Sequence, residues 1–142
     1  MLKYFSLIIV ILSFFSINAN AQEKNIPFTG VFEGHGRVCY GHLYIKTKTI
    51  EWISSFAVCK RSTYKILEMQ FDDKGKRIVY LIKNPSKYCR IKIIEFYKEP
   101  MDSEDSVFEH WTLTGYKSVE EYHRQKDTKQ TSEENFDCDM VR

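Results

Sequence analysis

From residue 28 onward, hydrophobic and polar positions alternate with a period of two over most of the chain, the signature of half-buried strands. The clearest stretch is Phe28 to Trp52, where Phe28, Gly30, Phe32, Gly34, Gly36, Val38 and Tyr40 share one side of an extended chain. Leu43 and Ile45 then take odd positions and Ile50 and Trp52 even ones, so the apolar phase reverses near Thr47-Lys48-Thr49. A reversal requires a turn or a bulge, and together with a turn at Cys39-Tyr40-Gly41 it predicts two hairpins. Glycine inside a strand marks a bend or a close backbone approach, so Gly30, Gly34 and Gly36 predict a first strand that curls.

Further along, Thr63 to Phe71 places Leu67, Met69 and Phe71 on one face, and Asp72-Asp73-Lys74-Gly75-Lys76 supplies a polar hairpin loop. The strand Arg77 to Lys83 is apolar on both faces, which predicts a mid-sheet position, and Asn84-Pro85-Ser86 ends it because proline cannot donate to a ladder. Tyr88 to Tyr97 reads as another strand, Glu99 to Ser106 as an acidic loop, and Val107 to Tyr116 as a last strand with Val107, Trp111 and Leu113 on one face. Ser118-Val119-Glu120-Glu121 has the capping-box pattern, predicting a short helix from about Val119 to Lys126. From Asp127 to Asp137 the chain is polar and unpatterned, and poor order is expected except where Cys138 anchors it. The pattern predicts an all-β fold: a small antiparallel barrel or sandwich of about seven to eight strands with a short C-terminal helix. The curled first strand favours the barrel, since closing a sheet needs such bends.

The Thr29-Gly30-Val31-Phe32 opening and a disulfide-tethered C-terminus resemble those of small lipocalin-type barrels, although the tryptophan that this family carries in its first strand is Phe32 here. The resemblance implies a carrier of a small apolar ligand, and in this chain Phe28, Phe32, Ile45, Trp52 and Trp111 are the candidate lining.

The N-terminus changes the picture of where the chain folds. Lys3 precedes an apolar run from Tyr4 to Ile17, and Ala19-Asn20-Ala21 places small residues where a signal peptidase reads. Residues 1–21 are therefore expected to be a signal peptide cleaved near Ala21, giving a secreted or periplasmic product. The run is roughly 14 residues against the 20 of a comfortable span, so no membrane-spanning role is expected. Residues 22–126 read as a single β-rich domain, expected to be monomeric, and 127–142 as a polar tail tethered by Cys138. The even set Cys39, Cys59, Cys89 and Cys138 predicts two disulfides in an exported chain. Of three possible pairings, Cys39 with Cys59 and Cys89 with Cys138 is preferred, because the first closes a hairpin-sized loop and the second ties the tail to the sheet. No cysteine pair has the short spacing of a structural zinc site, and no metal or other cofactor is expected.

Charge is asymmetric along the chain. Residues 60–98 carry eleven Lys or Arg against four Asp or Glu, and residues 99–142 carry twelve acids against five bases. The first expectation is that the acidic tail docks on or offsets the basic strands; the alternative is that Lys60, Arg61, Lys74, Lys76, Arg77, Lys87 and Arg90 form a surface for an anionic partner. Nucleic acid is disfavoured by export and by the acidic tail. Nucleophile elbows, phosphate-binding glycine loops and paired metal-ligand motifs are lacking. The remaining candidates are histidines: His35 beside Glu33, His110 beside Glu109, and His42 on a polar face with Tyr44 and Lys46. Strand histidines on polar faces are commonly solvated, so catalysis is not expected. The expected role is a binding or interaction module whose partner is an unknown protein or an anionic envelope component. By analogy of size and export, an inhibitor of cell-wall hydrolases belongs to that class; the alternative is the apolar-ligand carrier.

Overall fold

The computed structural model describes residues 28–100, 108–128 and 136–142. Its strands are β1 (Gly30–Gly34), β2 (Gly41–Ile45), β3 (Thr49–Ser54), β4 (Val58–Asp72), β5 (Gly75–Ile82), β6 (Ile93–Lys98), β7 (His110–Tyr116) and β8 (Phe136–Val141), and one helix, α1 (Val119–Thr128), lies between β7 and β8. Each strand pairs antiparallel with the next, and β1 also pairs with β8, so the sheet closes into a barrel. The choice between barrel and sandwich is thus settled, in favour of an up-and-down barrel. The signal-peptide segment 1–21, Val107 and residues 129–135 of the tail lie outside the described residues, as does most of the expected acidic loop.

Alternation builds the interior. Phe32 of β1, Leu43 and Ile45 of β2, and Ile50 and Trp52 of β3 all point inward, and the phase reversal near Thr47 is the β2–β3 turn. In β4 a register shift between Ile66 and Glu68 separates Leu67, which faces outward, from Met69 and Phe71, so the three do not share one face. An extra residue in one strand reverses every side chain beyond it. In β5, Ile78, Tyr80 and Ile82 face the core while Val79 and Leu81 face out, and both sets are covered, as the apolar pattern on two faces predicted.

The outer cover is α1. Ser118 Oγ accepts a hydrogen bond from the Glu121 amide at 3.1 Å, and the Glu121 carboxylate accepts one from the Lys117 amide at 2.6 Å, the expected helix start. Tyr122 packs its ring on Val79, Ile93 and Tyr116. Beneath it Arg77 bonds Glu68, Glu95 and the Tyr122 hydroxyl, while Lys126 reaches Glu68 at 2.6 Å. The helix is held by a small apolar patch and by a ring of polar bonds.

Four expectations are corrected. The first strand stops at Gly34, and residues 35–40 form a loop in which Val38 and Tyr40 are exposed. The strand expected from Tyr88 begins at Ile93, because residues 83–92 form a loop held by Cys89. The tail is not a loose tether: its end is β8, with Cys138 and Met140 buried in the core. The disulfides are Cys39–Cys138 and Cys59–Cys89, not the preferred pairs. Closure explains the last point. Pairing β8 with β1 brings Cys138 beside the β1–β2 loop, which leaves Cys59, at the start of β4, to meet the β5–β6 loop.

Candidate functional site: a disulfide-tied basic and aromatic rim

In an up-and-down barrel, alternate connections emerge at the same end. The β1–β2, β3–β4 and β5–β6 loops therefore share one end with the connection through α1, and both disulfides lie there. Residues 34–41, 54–58 and 82–93, which contain these three loops, hold five Lys or Arg (Arg37, Lys83, Lys87, Arg90, Lys92) and no Asp or Glu. All five are exposed, as are Lys60 and Arg61 where β4 leaves the rim.

The loops are tied to one another as well as to the barrel. The Ser55 amide donates to the Tyr40 carbonyl at 3.0 Å, joining the first loop to the second. Ser86 Oγ donates to the Val58 carbonyl at 3.1 Å and accepts from the Lys60 amide at 3.4 Å, joining the second to the third beside Cys59–Cys89. Gly41 completes the first loop at a φ of 147°, where a Cβ would collide with the Ile53 carbonyl, so no other residue fits without strain.

On this frame sit apolar side chains that the core does not take up. Tyr40 is 75% exposed, Tyr88 69% and Phe56 57%, with Val38 and Val58 exposed beside them. Phe56 stacks one face on Phe136 at 4.1 Å and turns the other to solvent. Phe56, Val58, Lys87, Tyr88 and Arg90 line an open cleft of about 360 Å³, with Lys87 Nζ 5.8 Å from the Tyr88 ring centre. Rings held rigidly between cations lose little conformational freedom on binding, which is what a recognition surface requires. Chemically the arrangement can bind an anionic surface that also takes up apolar groups.

Comparison with known proteins returns no match: no family model, no curated protein and no solved structure. The functional reading therefore stands on this geometry.

Of the basic residues expected to form one surface, Lys60, Lys87 and Arg90 belong to the rim and Arg61 adjoins it, 3.6 Å from Glu51. Lys74 and Lys76 lie at the other end, in and after the β4–β5 turn. Arg77 is half-buried beneath α1, engaged by two carboxylates and a hydroxyl, and is not a surface cation. The rim residues that sequence reasoning passed over are Arg37, Tyr40, Phe56, Lys83, Tyr88 and Lys92. Their signal was the lack of any acid across three alternate turns.

The candidate ligand lining is interior. Phe32, Ile45, Trp52 and Trp111 are buried, and Phe28 packs against Phe32, Phe71, Phe96 and Trp111. These rings contact one another, with Phe32 to Phe96 at 4.6 Å and Phe32 to Trp111 at 5.9 Å. Trp52 Nε1, Trp111 Nε1 and the Tyr80 hydroxyl are buried without a hydrogen-bond partner among the described residues.

His42 stands apart from the other two candidate histidines, which share a cleft. His42 lies 3.6 Å from Glu33 across the β1–β2 ladder and stacks on Tyr44, whereas His35 and His110 line an apolar cleft of about 660 Å³ with Val31, Glu33, Phe108 and Val141. Glu109 turns away from His110. It accepts from Lys98 Nζ at 3.1 Å and faces Arg142 at 3.6 Å, and although burial by itself would raise its pKa, these cations hold it below the usual carboxylate value. Among the described residues no three His, Cys, Asp or Glu side chains are placed to hold a metal ion.

Proposed function

We propose that this chain is an exported binding domain, not an enzyme, that engages an anionic partner through the rim. The observation that carries the reading is the convergence of Tyr40, Phe56 and Tyr88 with Arg37, Lys87 and Arg90 on three acid-free loops tied to one another. Export is supported by the apolar run Tyr4 to Ile17 before Ala19-Asn20-Ala21 and by two disulfides, which form and persist in oxidising compartments. Among the described residues no helix is long and apolar enough to cross a membrane. A hydrolase inhibitor is one role such a domain can fill, and the positive rim requires an acidic face on the target. The carrier reading is weaker here, because the expected lining residues are packed on each other.

The test is capture from an envelope extract by the immobilised domain at low and high salt, beside the double variant Lys87→Glu/Arg90→Glu. Capture by the wild type that is lost in the variant, and lost as ionic strength passes a few tenths molar, where the screening length is roughly 5 Å, is the expected result. Equal capture by the variant refutes the rim as the binding surface.

A further inference from the structure

The chemistry of the rim specifies its partner further than its charge does. Resting on the reading above, we infer that the anionic partner is a lipid bilayer surface, on which the domain lies with its disulfide-tied end down. An acidic protein or a soluble polyanion would be recognised by the cations alone or by one central pocket ringed by neutral contacts. Here the apolar groups are instead spread over the loops: Val38 and Tyr40 on the first, Phe56 and Val58 at the second, Tyr88 on the third.

Each has a natural depth at a bilayer. Valine and phenylalanine side chains reach the boundary of the acyl region, tyrosine rings suit the headgroup level, and Lys or Arg stems lie along apolar surface while their charged ends meet lipid phosphates. Arg37, Lys60, Lys83, Lys87 and Arg90 supply the attraction, and a polybasic surface gains about a factor of five in binding per cation near an anionic leaflet. The remaining connection at this end passes through α1, whose first turn carries Glu120 and Glu121, so the three acid-free loops and not the helix start make the lipid contact. The ties among the loops hold the rings exposed before contact, so insertion requires no unfolding.

The experiment uses the purified protein with vesicles of phosphatidylcholine containing about one third phosphatidylglycerol, with pure phosphatidylcholine vesicles and with soluble polyglutamate in parallel. Trp52 and Trp111 are buried in the barrel, so a Tyr88→Trp variant places a responsive indole on the rim. Sedimentation with the anionic vesicles, a blue shift of that indole, and quenching by brominated lipid are expected. Lys87→Glu/Arg90→Glu should weaken sedimentation at least 25-fold, at roughly five-fold per charge. Tyr88→Ser, at a ring that is mostly exposed, should weaken it roughly ten-fold with the barrel intact by circular dichroism. Polyglutamate binding that the charge reversal abolishes, without vesicle binding or an indole shift, overturns the lipid inference and leaves the rim as a protein-binding surface. Binding to neither overturns both. Vesicle binding that survives charge reversal places the lipid contact elsewhere and also refutes the inference.

Discussion

Removing one disulfide at a time should show that the two are unequal, with Cys39–Cys138 the larger contributor. The structure gives two reasons. The β1–β8 seam that closes the barrel has two paired positions, Glu33 with Val141 and Gly34 with Met140, against five between β1 and β2 and six between β7 and β8. Cys39–Cys138 clamps that seam and joins residues 99 apart, whereas Cys59–Cys89 joins residues 30 apart within neighbouring elements. In the loop-entropy model a 99-residue closure contributes about 4.7 kcal/mol and a 30-residue closure about 3.6. Because the smaller loop lies inside the larger and shortens it, the outer bond contributes about 4.4 kcal/mol in the intact chain. Against a total stability of about 5–15 kcal/mol for a small domain, Cys39→Ala/Cys138→Ala should be marginally folded, and Cys59→Ala/Cys89→Ala, which keeps the full outer closure, should retain about 1 kcal/mol more. Urea unfolding of both variants under non-reducing conditions measures the difference, and amide exchange locates it, with β8 and β1 expected to lose protection first. Equal midpoints, or a β8 that stays protected without Cys138, would refute the claim that the bond holds a thin seam.

Two further outcomes follow from the polar groups. Burial alone would raise the Glu68 pKa, but hydrogen bonds from Lys126, Arg77 and Tyr122 and the charge of Arg77 lower it from 4.5 to about 2. A carboxyl held low when folded stabilises above its unfolded pKa, so this contribution is complete above about pH 4.5 and fades toward pH 2. With the side chain 29% exposed, the effect after screening is about 1–2 kcal/mol. Glu68→Gln should therefore be less stable at neutral pH and match the wild type near pH 2, and a difference that persists at pH 2 in chemical denaturation counts against the network. Burial, followed by the charge of Tyr64, raises the pKa of Tyr80, whose hydroxyl has no partner among the described residues. Tyr80→Phe should thus be neutral or stabilising by up to about 1 kcal/mol in thermal unfolding, and a loss of more than that means that the hydroxyl is bonded, which would favour the carrier reading.

Much of the barrel was legible because its strands are amphipathic by alternation, as with Ile45 and Ile50 on either side of the Thr47 turn. What escaped depended on contacts distant in sequence. Phe136, Cys138 and Met140 alternate with Asp137 and Asp139, but the polar, unpatterned stretch before them hides so short a strand; without β8 nothing brings Cys138 to Cys39. The bulge at Leu67 is invisible to a strict period of two, and it is what puts Leu67 and Met69 on opposite faces. The fold divides the basic residues of residues 60–98: Arg77 faces two carboxylates across strands that the pattern could not register, and Lys74 lies at the opposite end from Lys87 and Arg90. The expectation of a polar face for His42 holds in its contact with Glu33, and sequence alone could not show that the rim's rings stay exposed.

The distribution of apolar residues between the two ends argues that the exposed rings have a use. At the end away from the disulfides, Phe28, Phe32, Phe96 and Trp111 stack into the barrel mouth, with Phe96 parallel to Trp111 at 4.6 Å, and Lys98, Glu109 and Arg142 seal it with ion pairs. That end is stabilised in the ordinary way, by burying its own aromatic surface. The rim has Tyr40, Phe56 and Tyr88 available for the same purpose and leaves them in solvent. Each could stabilise by roughly 1.5–3 kcal/mol if fully buried, and the two bonds that restore this stability are both placed among the same loops. Covalent ties there allow the loops to be rigid without collapsing on their own rings. A surface that is apolar, cationic and stiff at once among the described residues is what the proposed bilayer contact would bury.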